Sequence, residues 1–408
     1  MNKLSSKKGV TFLALLCSGV YFISYISRIN LAAVLVEVVA SGFAPQTTAA
    51  LALTACSITY GAGQLVSGYL GDKYKPQSII FAGFLLTGAM NLSVGLLQNS
   101  AFLVALWAVN GFAHSLMWPP LVKIMVHHLS TEDYEKACVK VSYGGNLGSI
   151  AVYLAAPLLI NAFTFRGVFL VSGSLALAMA FLWKWLYGRH FSFRADPVAQ
   201  TKTAAPEAAE KFTPVALVLL ALIMTAVVLQ GALRDGVANW MPTYISDVFS
   251  LGSDISILSG AVLPVFGILS IAAANLLYRK LLRNELVCAG TIFGVGCAAA
   301  LLLLAFHGKA PIASVLALAL LSGSMHGVNV ILICMIPPYF AKFGRTAFVS
   351  GALNSCTYIG AAISTYGIAL LTQGSGWNGT VLVWATIAAA GGILCLVLVR
   401  SWRAFRSK

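Results

Sequence analysis

Long apolar blocks punctuated by short polar breaks run along this chain. Apolar windows lie near residues 11–36, 46–70, 78–97, 101–124, 137–163 and 167–188, and again near 213–246, 255–277, 286–306, 311–337, 346–372 and 377–399. Each approaches or exceeds the ~20 residues that a helix needs to cross a bilayer. The pattern predicts an all-α integral membrane protein of twelve transmembrane helices. The one long polar break, Arg189 to Lys211 (RHFSFRADPVAQTKTAAPEAAEK), is rich in Pro, Ala and charge and reads as a flexible linker. The expected organisation is therefore a six-helix half over 1–188, a cytoplasmic linker over 189–212 and a second six-helix half over 213–408. Two such halves around a central cavity are the usual layout of a secondary transporter.

Composition narrows the class further. Of 408 residues, 59% are hydrophobic and only 9% charged, and the mean hydropathy is +0.87. Soluble domains carry roughly 25% charged residues, so too few are present here to cover a water-facing surface. The basic start, MNKLSSKKGV, leads into an apolar stretch that continues past Arg28 without a small-residue cleavage site, which reads as a first permanent span. With the N-terminus placed in the cytoplasm, 22 of the 26 Lys and Arg fall on the inner side and two, Arg166 and Lys309, on the outer side. That asymmetry follows the positive-inside rule and puts both termini in the cytoplasm. The net charge of +14 is then explained by topology and anionic lipid, with no nucleic-acid partner and no basic stripe. The eight cysteines show no ligand or disulfide spacing and read as small buried hydrophobes.

Two basic residues remain, Arg28 in the first span and Arg234 in the seventh, the equivalent span of the second half. A guanidinium at the bilayer centre costs at least ~2.5–3.5 kcal/mol, so a matched pair points to a shared purpose. Arginine's planar fork of donors suits phosphate or carboxylate. Internal pairing is the competing explanation. Glu37 lies about two and a half turns beyond Arg28, and Asp235, adjacent to Arg234, is expected to point to another helix face. Tyr21, Tyr25 and Arg28 share one face by their spacing, as do Tyr60 and Gln64 in the second span. Tyrosine hydroxyls at membrane depth need partners and can donate to an anion.

At these residues the chain resembles the organophosphate:phosphate antiporter group of the major facilitator superfamily. GYLGDKYKPQ (68–77) resembles the superfamily's loop between spans two and three, with Asp72 and Lys73 in register. NGFAHSLMWPPLVKIMVHHLS (110–130) resembles the group's fourth-span segment, and RDGVANWMPTYISDV (234–248) the start of its seventh span. The resemblance covers essentially the whole chain and implies the major facilitator fold. It also implies that Arg28 and Arg234 clamp phosphate, that Tyr21, Tyr25, Tyr60 and Tyr358 line the same cavity, and that Asn146 is the fifth-span asparagine. Three positions depart from the glycerol-phosphate carriers of the group. Gln64 stands for a cavity lysine, Gly145 for a histidine and His326 for a tenth-span tyrosine.

The function expected from these features is secondary transport of a small organic anion, a phosphorylated metabolite exchanged for inorganic phosphate by alternating access. A proton-coupled carboxylate symporter using the same arginines, with His326 in the proton path, is the alternative. A non-transporting sugar-phosphate sensor is a further one. Asp72 and Lys73 are expected to form a charge latch between conformations, and the glycines of spans two and five to permit close helix approach. His127, His128, Glu132, Asp133 and Glu135 lack a matching partner set for a metal, no cofactor is expected, and no nucleophile–base pair suggests an enzyme. The short loops and the lack of a targeting sequence point to a bacterial cytoplasmic membrane, and a monomer is expected.

Overall fold

The structure, a computed structural model, describes residues 4, 6–191, 212–250 and 262–407. Residues 192–211 of the linker predicted over 189–212, and the start of the eighth predicted span, 255–261, lie outside the described residues. Among the described residues twelve α-helices follow in order: α1 Lys7–Ala33, α2 Leu35–Ala40, α3 Gln46–Lys73, α4 Pro76–Leu96, α5 Leu103–Ser115, α6 Trp118–His128, α7 Thr131–His190, α8 Pro214–Phe249, α9 Val262–Leu277, α10 Glu285–Phe306, α11 Pro311–Asn329 and α12 Thr346–Arg406. These are not one helix per span. The short α2 caps the first span, and α5 and α6 divide the fourth at the turn before Trp118-Pro119-Pro120.

The helices α7 and α12 each run through two predicted spans. α7 breaks at Phe163 and Thr164, where Thr164 has φ +62°, and α12 breaks at Gly376, where φ is +65° and ψ −170°. Those breaks fall at the predicted boundaries 163/167 and 372/377, so each of the twelve predicted spans has a helical counterpart. Nine helices among the described residues are long and apolar enough to cross a membrane by length and composition. Helix starts are written locally. Ser130, Thr213 and Asn284 each accept the N–H three residues on. Pro76, Pro214 and Pro311 occupy the first turn, where a missing N–H costs nothing. The outer faces stay apolar, with Leu154, Leu158, Ile312 and Val397 each at least 70% exposed, as a lipid-facing surface requires.

The chain divides into two compact units, Met1–Glu210 with Phe340–Ser355, and Lys211–Tyr339 with Cys356–Lys408. In the first, α1 packs on α7, and α4 on α5 and α7. Gly144 and Gly148 of α7 meet the backbone of Ser18 and Phe22 so closely that a side chain would collide. A buried polar network ties α1, α4 and α5 beside Arg28. Asn30 donates to Asn91 Oδ1 at 2.7 Å, and the amides of Asn91 and Asn110 donate to the Ser27 carbonyl at 3.1 and 3.2 Å.

In the second unit, α11 packs on α8, α9 and α10. Its polar centre is Glu285, which is fully buried. The Glu285 carboxylate accepts from the Tyr278 and Tyr339 hydroxyls, both at 2.8 Å, from Trp402 Nε1 at 2.7 Å and from Arg406 Nη1 at 3.0 Å. Satisfying a buried carboxylate this completely is what makes it tolerable.

Candidate functional site

On α1, the four- and three-residue spacing of Tyr21, Tyr25 and Arg28 places all three on one face. The guanidinium carbon of Arg28 lies 4.3 Å from the Tyr25 ring centroid and 4.6 Å from that of Tyr60 on α3. Both rings thus offer π faces to the cation, an arrangement that stabilises a desolvated guanidinium by up to about 2 kcal/mol. The aromatic run continues through Tyr21, 5.2 Å from Tyr25 and 5.1 Å from Trp118 between ring centroids. Trp118 thereby joins the site. In the sequence it stands only as part of a motif, and its contact with the distant Tyr21 is a tertiary fact that the motif does not signal.

Gly145 of α7 faces this run. A Cβ there would lie 2.9 Å from Tyr25 Cε2 and 3.0 Å from Tyr21 Cδ1. The departure from the family histidine thus has a physical reason, since the tyrosine pair fills the space a side chain would need. Asn146, next along, is half-buried and donates to the Ser142 carbonyl of its own helix at 2.9 Å. Behind Arg28, the fully buried His114 shares a hydrogen bond of 3.0 Å with the Ser24 hydroxyl.

Gln64 has a different setting from its predicted companion Tyr60. It is completely buried, and neither amide atom meets a hydrogen-bond partner among the described residues. The cause is the start of α12, whose Gly351 sits against the Gln64 carbonyl with no room for a Cβ. One turn on, the α3 backbone at Gly68 likewise touches Ala347 and Phe348.

This contact is closed by Asp72. Its carboxylate accepts the N–H groups of Ala347 at 3.1 Å and Phe348 at 2.8 Å. Those amides belong to the first turn of α12, where N–H groups lack intrahelical partners and the helix dipole favours an anion. Lys123 of α6 completes the junction, 3.6 Å from the carboxylate and donating to the Asp72 carbonyl at 3.0 Å. Lys73 instead lies 5.7 Å from the ring centroids of both Tyr69 and Tyr74. Of the two expected latch residues, Asp72 is at the junction, and the cation beside it is Lys123.

In the second unit, Arg234 on α8 donates to Asp235 through Nε at 2.7 Å and Nη2 at 2.8 Å. The expectation that an adjacent residue makes a poor partner is corrected here. Backbone directions diverge, but the arginine side chain is long enough to fold along the helix and present its fork sideways. The guanidinium lies 6.0 Å from the Tyr358 ring centroid. The Arg234 carbonyl accepts from Ser322 of α11 at 2.9 Å. His326, one turn beyond Ser322, packs across from Gly267 of α9, where a Cβ would lie 3.5 Å from the ring. Near it, Gln230 donates to the Met325 carbonyl at 3.0 Å.

Each unit therefore presents one arginine among aromatic rings on membrane-spanning helices, a chemistry suited to anions. Among the described residues, no group of three or more His, Cys, Asp and Glu is placed to hold a metal ion.

Residues 17–365 match the Major Facilitator Superfamily. The chain is 26% identical over 125 residues to a probable hexose phosphate transport protein of Chlamydia muridarum, a stretch covering 31% of this chain and 27% of that protein. It is 24% identical over 411 residues to the membrane sensor protein UhpC of Salmonella typhimurium, covering 93% of this chain and 88% of that one. The matched stretch thus spans little more than a quarter of the length of the first relative and most of the second. Among solved structures, the major facilitator transporter FucP in its outward conformation superposes with a TM-score of 0.76 at 13% identity, over 98% of this chain and 100% of that one. At that identity the likeness is one of fold.

Proposed function

The chain belongs to the Major Facilitator Superfamily, whose fold is that of membrane transporters, and from that premise we propose that it carries a small phosphorylated organic anion in exchange for inorganic phosphate. The observation that carries this reading is the matched pair of membrane-embedded arginines. Arg28 lies between the rings of Tyr25 and Tyr60, and Arg234 beside Tyr358. In this reading one guanidinium from each unit contributes to holding the anion, with Tyr21, Tyr25 and Tyr358 as hydroxyl donors, the Tyr60 ring supporting Arg28, and Asn146 and His326 shaping selectivity. Gln64 joins them when the start of α12 parts from α3.

Asp235 shares the Arg234 fork, so an anion has to compete with that carboxylate. The competition keeps binding modest, which a carrier needs because cargo held too tightly is not released. Asp72, capping α12 beside Lys123, acts as the latch of one conformation in the alternating cycle. The halves of that cycle are 1–188 and 213–408, joined by 189–212. The 22:2 distribution of basic residues supports a cytoplasmic placement of both termini, and the carrier is taken to act as a monomer in the cytoplasmic membrane.

The test is counterflow in proteoliposomes loaded with inorganic phosphate. Labelled external phosphate should enter, and an organophosphate such as a hexose phosphate should compete. Uptake of an organic anion driven by a proton gradient, with no phosphate exchange, would replace this reading with the symporter. One observation favours a second reading. A relative covering nearly the whole chain is a membrane sensor protein. A sensor would bind the sugar phosphate in the same assay without exchanging it.

A further inference from the structure

The end of the first unit that carries the Lys7 and Thr131 helix starts contains a cavity unrelated to the arginine sites. It has a volume of about 250 Å³ and lies between the first turns of α1 and α7. Its walls are Lys7, Val10, Thr11 and Ala14 from α1, and Asp133, Lys136, Ala137 and Lys140 from α7. Both sets step by three, four and seven residues, so each is one helix face, and the two faces oppose each other. At its inner end the helices are pinned together where the Ser18 hydroxyl donates to the Lys140 carbonyl at 2.6 Å.

The charges in this groove are unequally committed. Asp133 is occupied by its own helix cap, accepting the Ser130 hydroxyl at 2.7 Å. Lys136 pairs with Glu132 at 2.8 Å, outside the groove wall. Lys7 and Lys140 are exposed, and among the described residues neither forms an ion pair. Val10, Ala14 and Ala137 form an apolar floor between the lysines, with Lys7 and Lys136 near the helix starts and Lys140 one turn deeper. Both helices are long and apolar enough to cross a membrane, and a crossing would set their starts at headgroup depth, with the floor toward the bilayer interior.

From this geometry we propose that the groove is a binding site for an anionic phospholipid. The headgroup phosphate sits among Lys7, Lys136 and Lys140, and the glycerol backbone lies against Val10, Ala14 and Ala137. A free phosphate ion would use the lysines but has no need of the apolar floor, which is why the lipid is the assigned occupant. Basic pockets between transmembrane helices are suited to such headgroups, and each lysine near an anionic lipid surface contributes about fivefold in affinity. The site stands independently of the transported cargo.

The experiment is native mass spectrometry of the full chain equilibrated with equal phosphatidylglycerol and phosphatidylcholine. The wild type should retain phosphatidylglycerol with about tenfold or greater preference. Lys7→Gln with Lys140→Gln should reduce the preference to about threefold or less, with thermal unfolding unchanged because both side chains are exposed. A charge-matched control, Lys280→Gln with Arg403→Gln, should keep it. An undiminished preference in the first variant, or an equal loss in the control, would overturn the site. Displacement of the lipid by millimolar inorganic phosphate would overturn the lipid assignment in favour of a soluble anion.

Discussion

At Arg234 a guanidinium inside a membrane segment is met by the carboxylate of the very next residue, at 2.7 and 2.8 Å. Removing that carboxylate takes away one competitor for the fork, so Asp235→Asn should lower the apparent KM for phosphate several-fold, read in counterflow. Arg28 is held differently, by rings (4.3 Å to Tyr25 and 4.6 Å to Tyr60). If the π face is what matters, Tyr60→Phe should keep most exchange, whereas Tyr60→Leu should lose about 5- to 30-fold, the equivalent of ~1–2 kcal/mol. Equal losses in the two variants would assign the effect to the hydroxyl. The face shared by Tyr21, Tyr25 and Arg28 was legible in the sequence because helical spacing alone determines it. The Arg234–Asp235 pair was not, because spacing describes where Cβ atoms point and says little about the reach of a long side chain. Gly145 was legible as a departure from the family, but its reason, the tyrosine rings filling its space, is a tertiary fact.

Two polar nodes organise the helices. The Asp72 junction joins α3, α6 and the first turn of α12. Lys123→Gln should slow exchange and lower the unfolding temperature by a few degrees, while Lys73→Gln should do neither, because Lys73 lies over tyrosine rings away from the junction. The reverse pattern in a thermal-shift and transport assay would return the latch to Lys73. The second node is Glu285, with four side chains donating to one buried carboxylate. Glu285→Ala strands all four, and breaking a buried charge pair in this way costs about 3–5 kcal/mol. A large fall in the unfolding temperature of the purified protein would show it, and a shift of a degree or less would mean the node is dispensable. At this scale helix starts were readable from Ser, Thr, Asn and Pro in first turns. The breaks in α7 and α12 were readable from the hydrophobic pattern. The partner of Asp72 was not, since Ala347 and Phe348 are 275 and 276 residues away and offer only backbone N–H groups, which carry no residue-type signal.

Across the whole molecule, the fold was legible because a membrane admits so few solutions. Apolar blocks of the right length must be helices, and the distribution of 26 basic residues gives the orientation proposed for them. The same economy makes the two membrane-embedded arginines stand out, and the function proposed here depends on them. The most direct test is phosphate counterflow in proteoliposomes with the wild type, Arg28→Lys and Arg234→Lys. Lysine keeps the charge and removes the planar fork. Exchange in the wild type that an organophosphate competes away, reduced at least about a hundredfold in each variant while the protein stays folded, is the expected result. Full exchange in both lysine variants would contradict anion recognition by the guanidinium forks.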